Sequence, residues 1–376
     1  MRVDQSSFTG TLRHERVASR IGLALGVAFT VCFLTGLLSH LIQHPPAWFS
    51  WPTRPVGLYR VTQGVHVASG IAAIPLLLGK LYTVYPRLFT TPPVRSVVHA
   101  AERGSVFVLV GAAFFEVVTG LLNIAHWYPW AFFFPTAHYA VAFIAVGAIA
   151  LHVAVKLPVI RRSLAKPVGD DRERTGEPTD PSRRAFLWAV GAGVGAVVVA
   201  TAGATVPWLR KISVLAVRTG EGPQGVPINK TAIAAGVTQA ATSPGYRLTL
   251  LGPEGTVQLT LADLQQMPQH SAQLPIACVE GWSADASWTG VRVAELVARA
   301  GGTVDDDVVF ESLQEGGAYS RSVLPARHAR DPLTLLALQL NGEPLDLDHG
   351  FPCRLIAPSR PGVLQTKWVE RIEVVT

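Results

Sequence analysis

The sequence is poor in cysteine and in charged residues, and each shortage excludes a class of protein. Three cysteines in 376 residues are too few for a disulfide framework, so packing has to stabilise the chain. Only 15% of the residues are charged and 49% are hydrophobic, whereas about a quarter of the residues are charged in soluble globular domains. The sequence after residue 210 also lacks a P-loop, a dinucleotide fingerprint, a CxxC pair and a nucleophile elbow. The composition therefore favours a membrane protein without nucleotide-binding motifs.

The net charge of +6 is distributed unevenly along the chain. Residues 1–209 contain 18 Lys/Arg and 9 Asp/Glu, whereas residues 210–376 contain 14 Lys/Arg and 17 Asp/Glu. The basic excess thus belongs to the hydrophobic half, where the charge of the loops normally sets the topology. We therefore expect no nucleic-acid partner.

Five apolar stretches are each long enough to cross a bilayer as a helix, which takes about 20 residues. They cover residues 21–42, 61–83, 104–125, 136–157 and 185–207. Sixteen Lys/Arg lie in the segments 1–20, 80–103 and 156–184, and only two lie in the other loops between the stretches. The positive-inside rule then predicts a multi-pass protein of the cell membrane, with a cytoplasmic N-terminus and an extracytoplasmic C-terminal domain.

A polar segment over 161–184 reads as a cytoplasmic linker before the fifth span. It ends in "SRRAFL", in which Arg183 and Arg184 directly precede the apolar stretch. This motif resembles a twin-arginine export signal, which implies a signal anchor over 185–209 and the twin-arginine translocase as a partner during export. A plain pair of cytoplasmic anchoring arginines is the alternative.

Histidines inside the apolar stretches are candidates for metal ligands, because ionisable residues in spans are costly and usually functional. His66 lies in the second stretch, and His138 and His152 lie in the fourth, 14 residues apart. That spacing is about four helical turns along one face, and neutral imidazole is an axial ligand of haem iron. Interhelical hydrogen bonding is the alternative. Glu116, the lone acid within a span, could carry protons or bond a neighbouring helix.

The motifs "VHVASG" and "AHYAVAFIAVGAIALHVAVK" resemble those of the b-type cytochrome subunits of bacterial formate dehydrogenases and hydrogenases. The resemblance implies a four-helix cytochrome-like membrane domain over 1–160, with a membrane quinone or quinol as electron partner. It also implies one haem b between His66 and His138. A second haem would use His152 and a ligand from the first helix, but the matching position falls near Gly22, so the second haem stays open.

The pattern of apolar residues changes near residue 210, from long continuous stretches to short alternating runs. Alternating apolar runs such as "YRLTLLG", "TVQLTLADL", "DDVVFESL", "CRLIAP" and "KWVERIEVV" predict strands, and "VRVAELVARAGG" predicts a short helix. We therefore expect a mixed α/β, β-rich domain over 210–376 after the membrane helical bundle.

The segments "CVEGWS", "FESLQEGGAYSRSVLP" and "DPLTLLALQLNGEPLDLDHGFPCRLIAPSRPGVLQTKWVERIEV" resemble the molybdopterin-binding domain of the sulfite oxidase family over nearly all of 225–376. Eukaryotic sulfite oxidases continue into a dimerisation domain, whereas this sequence stops at Thr376. The expected likeness is therefore greatest to the catalytic subunit of the bacterial periplasmic methionine-sulfoxide reductases.

The resemblance implies specific roles for residues of this domain. Cys278 corresponds to the thiolate that binds molybdenum, and Tyr319 to the tyrosine that faces the open side of the metal, where it could orient substrate or donate a proton. The positions that correspond to contacts with the molybdopterin cofactor are Asn229, Lys230, Ser312, His349, Arg354, Gln365, Thr366 and Lys367. Without the resemblance, Cys278 would be a buried core thiol or one half of a disulfide with Cys353.

The whole sequence is thus predicted to be a membrane-anchored molybdenum oxidoreductase that couples electrons from quinol and haem b to oxygen-atom transfer. Reduction of a sulfoxide, such as methionine sulfoxide, is the first expectation. Sulfite oxidation with electrons passing to quinone is the alternative, and Arg321 and Arg327 are then candidates for cations near the metal. A non-catalytic electron-transfer or anchor module is the remaining hypothesis.

Overall fold

The chain forms two compact units that interleave along the sequence. The computed structural model describes residues 12–86, 96–168, 182–216, 222–303 and 305–375. The helical unit comprises residues 1–37, 65–202 and 212–215. The sheet unit comprises residues 38–64, 203–211 and 216–376.

Long apolar helices make up the helical unit and reach into residues 38–64. They are α1 (Glu15–Gln43), α2 (Leu58–Val84), α3 (Val97–Ala125), α4 (Phe134–Leu164) and α5 (Arg183–Ala202). All five are long and apolar enough to cross a membrane, and each overlaps one of the five apolar stretches in the sequence. Residues 87–95 and 169–181, which include the centre of the predicted linker over 161–184, lie outside the described residues.

The last long helix begins and ends at polar contacts. The Ser182 hydroxyl accepts a hydrogen bond from the Ala185 amide at 3.1 Å and so caps the start of α5. The helix ends at Ala202, five residues before the predicted end of the span, because the next residues bond to the sheet unit. Within that unit, the Thr205 hydroxyl donates to the Gly281 carbonyl at 2.8 Å.

The sheet unit contains ten strands and five short helices among its described residues. The strands are β1 (Leu248–Gly252), β2 (Gly255–Leu259), β3 (His270–Ala277), β4 (Ser283–Arg292), β5 (Asp307–Ser312), β6 (Arg321–Leu324), β7 (Leu335–Leu340), β8 (Glu343–Pro344), β9 (Arg354–Ile356) and β10 (Val369–Val375). The helices are α6 (Ala232–Ala235), α7 (Thr238–Thr242), α8 (Leu261–Gln266), α9 (Val293–Arg299) and α10 (Ala326–Ala329).

The strands form two sheets in which neighbouring strands are not always consecutive in the sequence. The first has the order β2-β1-β10-β5-β6, and the second has the order β3-β4-β7-β8 with β9 also paired to β7. Only the pairing of β1 with β10 is parallel among the described strand pairs; the others are antiparallel. The predicted strands correspond to β1, β2, β5, β9 and β10, and the predicted helix to α9, so these predictions are confirmed. "TVQLTLADL" holds both β2 and α8, because Thr260 and Asp263 form a capping box that starts the helix.

Apolar side chains pack each sheet into its own core. Leu248, Leu250 and Phe310 are fully buried in a cluster that lines the first sheet. Trp288 is fully buried in the cluster of the second sheet. A buried Leu or Phe side chain contributes about 1.5–3 kcal/mol, so these two clusters stabilise the unit without any disulfide.

The segment over 38–64, which joins α1 to α2, folds as part of the sheet unit. Its Trp51 indole nitrogen donates to the Ser359 carbonyl at 2.7 Å. Its Arg54 guanidinium forms two hydrogen bonds with the Asp331 carboxylate, at 2.7 and 2.9 Å. The sequence suggested that 1–160 is one membrane domain, whereas the structure groups this segment with the C-terminal strands. This segment thus forms part of the sheet unit.

Candidate functional site

Cys278 follows the last residue of β3 and begins a tight turn. Its amide donates to the Trp282 carbonyl at 2.9 Å, and its carbonyl accepts from the Gly281 amide at 3.1 Å. The side chain is 1% exposed. All three cysteines lie among the described residues and none forms a disulfide, so the Cys278 thiol is not linked to Cys353.

Two cations lie near this turn, of which Arg354 is buried and Lys367 is half-buried. Arg354 donates to the carbonyls of His349 and Gln365, at 3.0 and 3.2 Å. Lys367 donates to the carbonyls of Lys230 and Asp348. Within the described part of the chain, neither cation forms an ion pair. Burial lowers the pKa of Arg354 to about 9. Burial, with the charge of Arg354, lowers the pKa of Lys367 to about 7.

Gly350 allows these two side chains to lie together. Its backbone has φ of 112°, a conformation that glycine adopts without the steric penalty of a side chain. A Cβ atom at this position would lie 3.1 Å from the Cβ atoms of both Arg354 and Lys367. A larger residue would therefore push the cations apart.

Several polar atoms beside these cations have no partner within the described part of the chain. They are Arg354 Nε, Arg360 Nε and Gln365 Oε1. A buried unsatisfied polar group costs about 1–3 kcal/mol, and more when it is charged. Buried donors and cations without a carboxylate form a cradle that an anionic ligand would complete, and the phosphate of a pterin cofactor fits this donor set.

The donor set also limits how a metal could bind. Among the described residues, no three His, Cys, Asp or Glu side chains converge on a metal position. A metal held by Cys278 must therefore bring its other ligands with it. A pterin dithiolene does so, and the cationic cradle would hold the remainder of such a cofactor.

Tyr319 completes the vicinity of Cys278. Burial, together with the negative charge of a Cys278 thiolate, raises the pKa of Tyr319. Its hydroxyl donates to Gln43 Oε1 at 3.0 Å, and Gln43 belongs to the same unit. Tyr319 is thus a protonated phenol near the thiol, as its predicted role requires.

His349 has one ring nitrogen and its carbonyl engaged within the protein. Its Nε2 atom lies 2.8 Å from the Pro223 carbonyl, and its carbonyl accepts from Arg354. Burial, with the charge of Arg354, lowers the pKa of His349 to about 4, so the ring is neutral. The carbonyl of His349 thus helps to hold Arg354, and contact of the neutral ring with a cofactor stays a prediction.

The other predicted cofactor residues support the backbone around Lys367. The Ser312 hydroxyl donates to the Lys367 carbonyl at 2.8 Å. The Thr366 hydroxyl lies 2.7 Å from the Ser322 hydroxyl. Asn229 Oδ1 accepts from the Lys230 amide at 2.9 Å. The structure thus gathers the predicted set around one lysine, with Ser312 and Thr366 already bonded inside the protein.

The two arginines suggested for a sulfite pocket bond elsewhere. Arg321 lies 3.4 Å from the Glu311 carboxylate, and Arg327 bonds Ser50 and the Trp51 carbonyl. The arginine that sequence reasoning missed is Arg360. It is 5% exposed and precedes Pro361, which bridges to Ala277 next to Cys278.

In the helical unit, the structure brings His66 and His138 together. Their ring centroids are 6.3 Å apart and the rings are inclined at 74°. His66 Nδ1 lies 2.8 Å from the Cys32 carbonyl, which leaves its Nε2 for a ligand. His138 lies 2.8 Å from the Thr119 hydroxyl and 3.1 Å from the Glu116 carboxylate. The two imidazoles could hold one metal between them only if His138 Nε2 no longer bonded the Glu116 carboxylate.

His152 has no comparable histidine neighbour among the described residues. Its surroundings are charged, with Lys80 and Lys156 nearby. A Cβ on Gly22, the position expected for a second axial ligand, would lie 3.1 Å from Lys80 Nζ. The ammonium group of Lys80, which donates to the Ala18 carbonyl at 2.8 Å, thus lies beside the position expected for a second haem ligand, and the second haem stays an open prediction.

Comparisons with known proteins identify the domain type of the sheet unit. Residues 235–376 match the family model described as "Oxidoreductase molybdopterin binding domain". Mouse (Mus musculus) mitochondrial sulfite oxidase is 33% identical over 158 residues, which cover 34% of this chain and 29% of that protein. The oxidoreductase YuiH of Bacillus subtilis (strain 168) is 33% identical over 116 residues, covering 31% of this chain and 57% of that protein.

Among solved structures, the crystal structure of the sulfane dehydrogenase SoxCD from Paracoccus pantotrophus matches this chain. The match covers 34% of this chain and 38% of the SoxCD chain. The identity is 26% and the TM-score 0.31, which is too low to support an argument about the fold. The chain spans less than a third of the length of the sulfite oxidase it matches. Its C-terminal region is a molybdopterin-binding oxidoreductase domain of the sulfite oxidase type.

Proposed function

We propose that the protein is a membrane-anchored molybdenum enzyme that reduces sulfoxides, with methionine sulfoxide as its first substrate. The observation that carries the proposal is a buried thiol, Cys278, close to the buried Arg354 and the half-buried Lys367, which form no ion pair with a carboxylate among the described residues. Burying unpaired cations is strongly unfavourable, so this arrangement is suited to an anionic cofactor.

The residues of the site have separate tasks. Cys278 would bind molybdenum as a thiolate, since metal binding deprotonates a coordinating thiol. Arg354 and Lys367 would hold the pterin phosphate. Gln365, whose carbonyl accepts from Arg354 and whose Nε2 donates to the Arg360 carbonyl, would hold the two arginines beside it. Bound molybdenum supplies the two-electron oxygen-atom transfer. The net reaction consumes two electrons and two protons and converts the sulfoxide to a sulfide and water.

The polar groups near the thiol favour a neutral substrate. Tyr319 is a neutral phenol that bonds the neutral amide of Gln43. Arg321 and Arg327, the cations suggested for a sulfite pocket, bond Glu311 and the segment 38–64. A sulfoxide has no net charge and therefore needs no cation beside the thiol, which agrees with these contacts.

Sulfite oxidation is the second candidate, and Arg360 supports it. This buried arginine lies beside the strand that precedes Cys278, and its Nε has no partner among the described residues. An anionic substrate could use such a cation. Aligned relatives named as sulfite oxidases are consistent with that reading.

Electrons would reach the site through the helical unit. His66 and His138 would bind one haem b, and Glu116 beside His138 would exchange protons with a membrane quinol. The basic loops and the twin arginines Arg183 and Arg184 support an extracytoplasmic sheet unit exported with its cofactor. Two arginines at the start of α5 oppose the helix dipole, so a role in export or topology explains them better than helix stability does.

A purified-protein assay tests the proposal. The holoenzyme in detergent is supplied in turn with methionine sulfoxide and a reduced dye, and with sulfite and an oxidised dye. We expect turnover with the sulfoxide, and reduced quinol should replace the dye when haem b is present. Turnover of sulfite alone would replace the proposed reaction by the second candidate. Molybdenum-loaded protein that turns over neither substrate would support a non-catalytic module.

A further inference from the structure

A chain of hydrogen bonds links the two ends of the segment 38–64 to the vicinity of Cys278. It begins at Tyr319, whose hydroxyl donates to Gln43 Oε1 at 3.0 Å. Gln43 lies in the last turn of α1, in a part of the chain for which the molybdopterin family model has no counterpart. The tyrosine is thus bonded to the last residue of α1, one position beyond the predicted first span over 21–42.

The orientation of the Gln43 amide is fixed by its second group. Its Nε2 atom donates to the Ser39 carbonyl at 3.1 Å and to the Ser39 hydroxyl at 3.2 Å. The Ser39 carbonyl can only accept, so the amide nitrogen faces Ser39 and the oxygen faces Tyr319. Gln43 therefore presents an acceptor to the phenol.

The chain continues through α2 and returns to the turn that holds the thiol. The Ser39 hydroxyl lies 3.0 Å from the Tyr59 hydroxyl, and Tyr59 donates to Gln63 Oε1 at 3.5 Å. Gln63 Nε2 donates to the carbonyl of Val279 at 3.0 Å. Tyr59 is 1% exposed and Gln63 is 6% exposed, so water does not compete for these bonds.

We propose that Gln43 is a positioning residue for the molybdenum site, because it fixes the Tyr319 hydroxyl relative to Cys278. A phenol has one proton, so while Tyr319 donates to Gln43 its oxygen can only accept from a group on the side of the thiol. Without Gln43 the hydroxyl is unfixed. The inference rests on the proposed function in one respect, namely that Tyr319 faces the substrate.

A double-mutant cycle tests the contact without any turnover. In cofactor-free full-length protein, Gln43→Met and Tyr319→Phe should each lower the melting temperature. The double variant should melt no lower than the less stable single variant, because both changes remove the same bond. Gln265→Met, on the exposed face of α8, is the matched control and should not change the melting temperature. Fully additive shifts would overturn the inference.

The same variants in the holoenzyme test the role in turnover. Gln43→Met should lower kcat about tenfold, since misplacing a positioned group by a fraction of an ångström reduces the rate without removing it, and KM should change less than twofold. In the Tyr319→Phe background, Gln43→Met should have no further effect. Gln43→Glu, which keeps an acceptor oxygen, should recover part of kcat.

The outcomes separate the two claims. A wild-type protein that turns over its substrate while Gln43→Met matches its kcat would overturn the positioning role. An equal loss in the Tyr319→Phe background would overturn it as well, since Gln43 would then act through another group. Coupled melting shifts in a protein that turns over no substrate would overturn the proposed function and leave the contact established.

Discussion

Both units bury ionisable groups, but they balance charge in opposite ways. In the helical unit, His138 Nε2 lies 3.1 Å from the Glu116 carboxylate, so the base has an acid beside it. In the sheet unit, Arg354 and Arg360 are buried and Lys367 is half-buried, and none of the three forms an ion pair among the described residues. The His138–Glu116 contact is therefore complete before any ligand binds, whereas the three cations gain an ion-pair partner only when an anion occupies the cradle.

The two units also differ in where their apolar surface lies. Val27 and Leu34 of α1 are 56% and 57% exposed, whereas Leu248 and Phe310 of the sheet unit are fully buried. Helices with such exposed apolar side chains are long and apolar enough to cross a membrane, so the stability of the helical unit should depend on whether lipid, detergent or water surrounds it. The sheet unit has its own core and can hold a preorganised site.

The largest effect should follow from removing the thiol of the sheet unit. Cys278→Ala should lower the dye-linked activity of the holoenzyme by about 100-fold or more, because a lost metal contact typically reduces metal affinity or activity by at least one to two orders of magnitude. Molybdenum content by mass spectrometry and dye-linked turnover measure the effect. The haem spectrum of the helical unit should be unchanged.

Cys353→Ser is the matched control for this variant. Cys353 is fully buried, lies 3.2 Å from the Tyr246 hydroxyl, and has a pKa raised by burial to about 12. The substitution should reduce stability while the molybdenum content stays near one atom per chain. Equal molybdenum in Cys278→Ala and the wild type would contradict the assignment of Cys278 as the metal ligand.

The next largest effect should come from removing a haem ligand of the helical unit, which should leave the activity of the sheet unit unchanged. His66→Ala or His138→Ala should abolish the b-type bands in a reduced-minus-oxidised spectrum, because each removes an axial ligand. Quinol-linked activity should be lost while dye-linked activity remains. His152→Ala should keep the bands, because Lys80 lies beside the position expected for the second ligand. Loss of half the haem in His152→Ala would establish a second haem.

Sequence patterns predicted the periodic parts of both units and missed the contacts between distant residues. The apolar stretches and alternating strands are local patterns, and the structure has a helix or strand at each of them. The segment 38–64 has no such pattern, since its Trp51 and Arg54 acquire partners only about 300 residues later. Arg360 stands in "SRPG", which reads as an exposed turn until Pro361 bridges to Ala277.

Resemblance added the residues of the site, and the structure refined their tasks. Arg354 and Lys367 both lie next to Gly350, and Tyr319 lies near Cys278; their roles at a molybdopterin site stay predictions. His349 bonds the Pro223 carbonyl, and no local pattern predicts which way a buried ring turns. The contact of Gln43 could not be predicted for a related reason. Gln43 ends an apolar helix, and its partner Tyr319 lies far along the chain.

A smaller effect concerns Lys367 of the sheet unit, whose charge should make the stability of the protein depend on pH. The pKa of Lys367 is about 7 in the fold and about 10.4 in an unfolded chain. The unfolded chain thus binds more protons between these values, and the stability of the cofactor-free protein should rise with pH by about 2 kcal/mol from pH 7 to pH 9. Lys367→Met should remove this slope in chemical denaturation. A bound anion should flatten it as well, and a slope retained in the variant would contradict the assignment.

The smallest effect should come from an ion pair that lies at the surface of the same unit. The Arg54 side chain is 48% exposed, and the Asp331 side chain with which it pairs is 6% exposed. Water screens such a pair, so Arg54→Met should reduce stability by less than about 1 kcal/mol. Asp331→Ala should cost more, because the carboxylate also accepts from the Leu333 amide at 3.0 Å. Denaturation curves of both variants measure the difference. If Arg54→Met were as damaging as Asp331→Ala, the exposed pair would hold the segment 38–64 in place, and the buried contacts of Gln43 and Tyr59 would not.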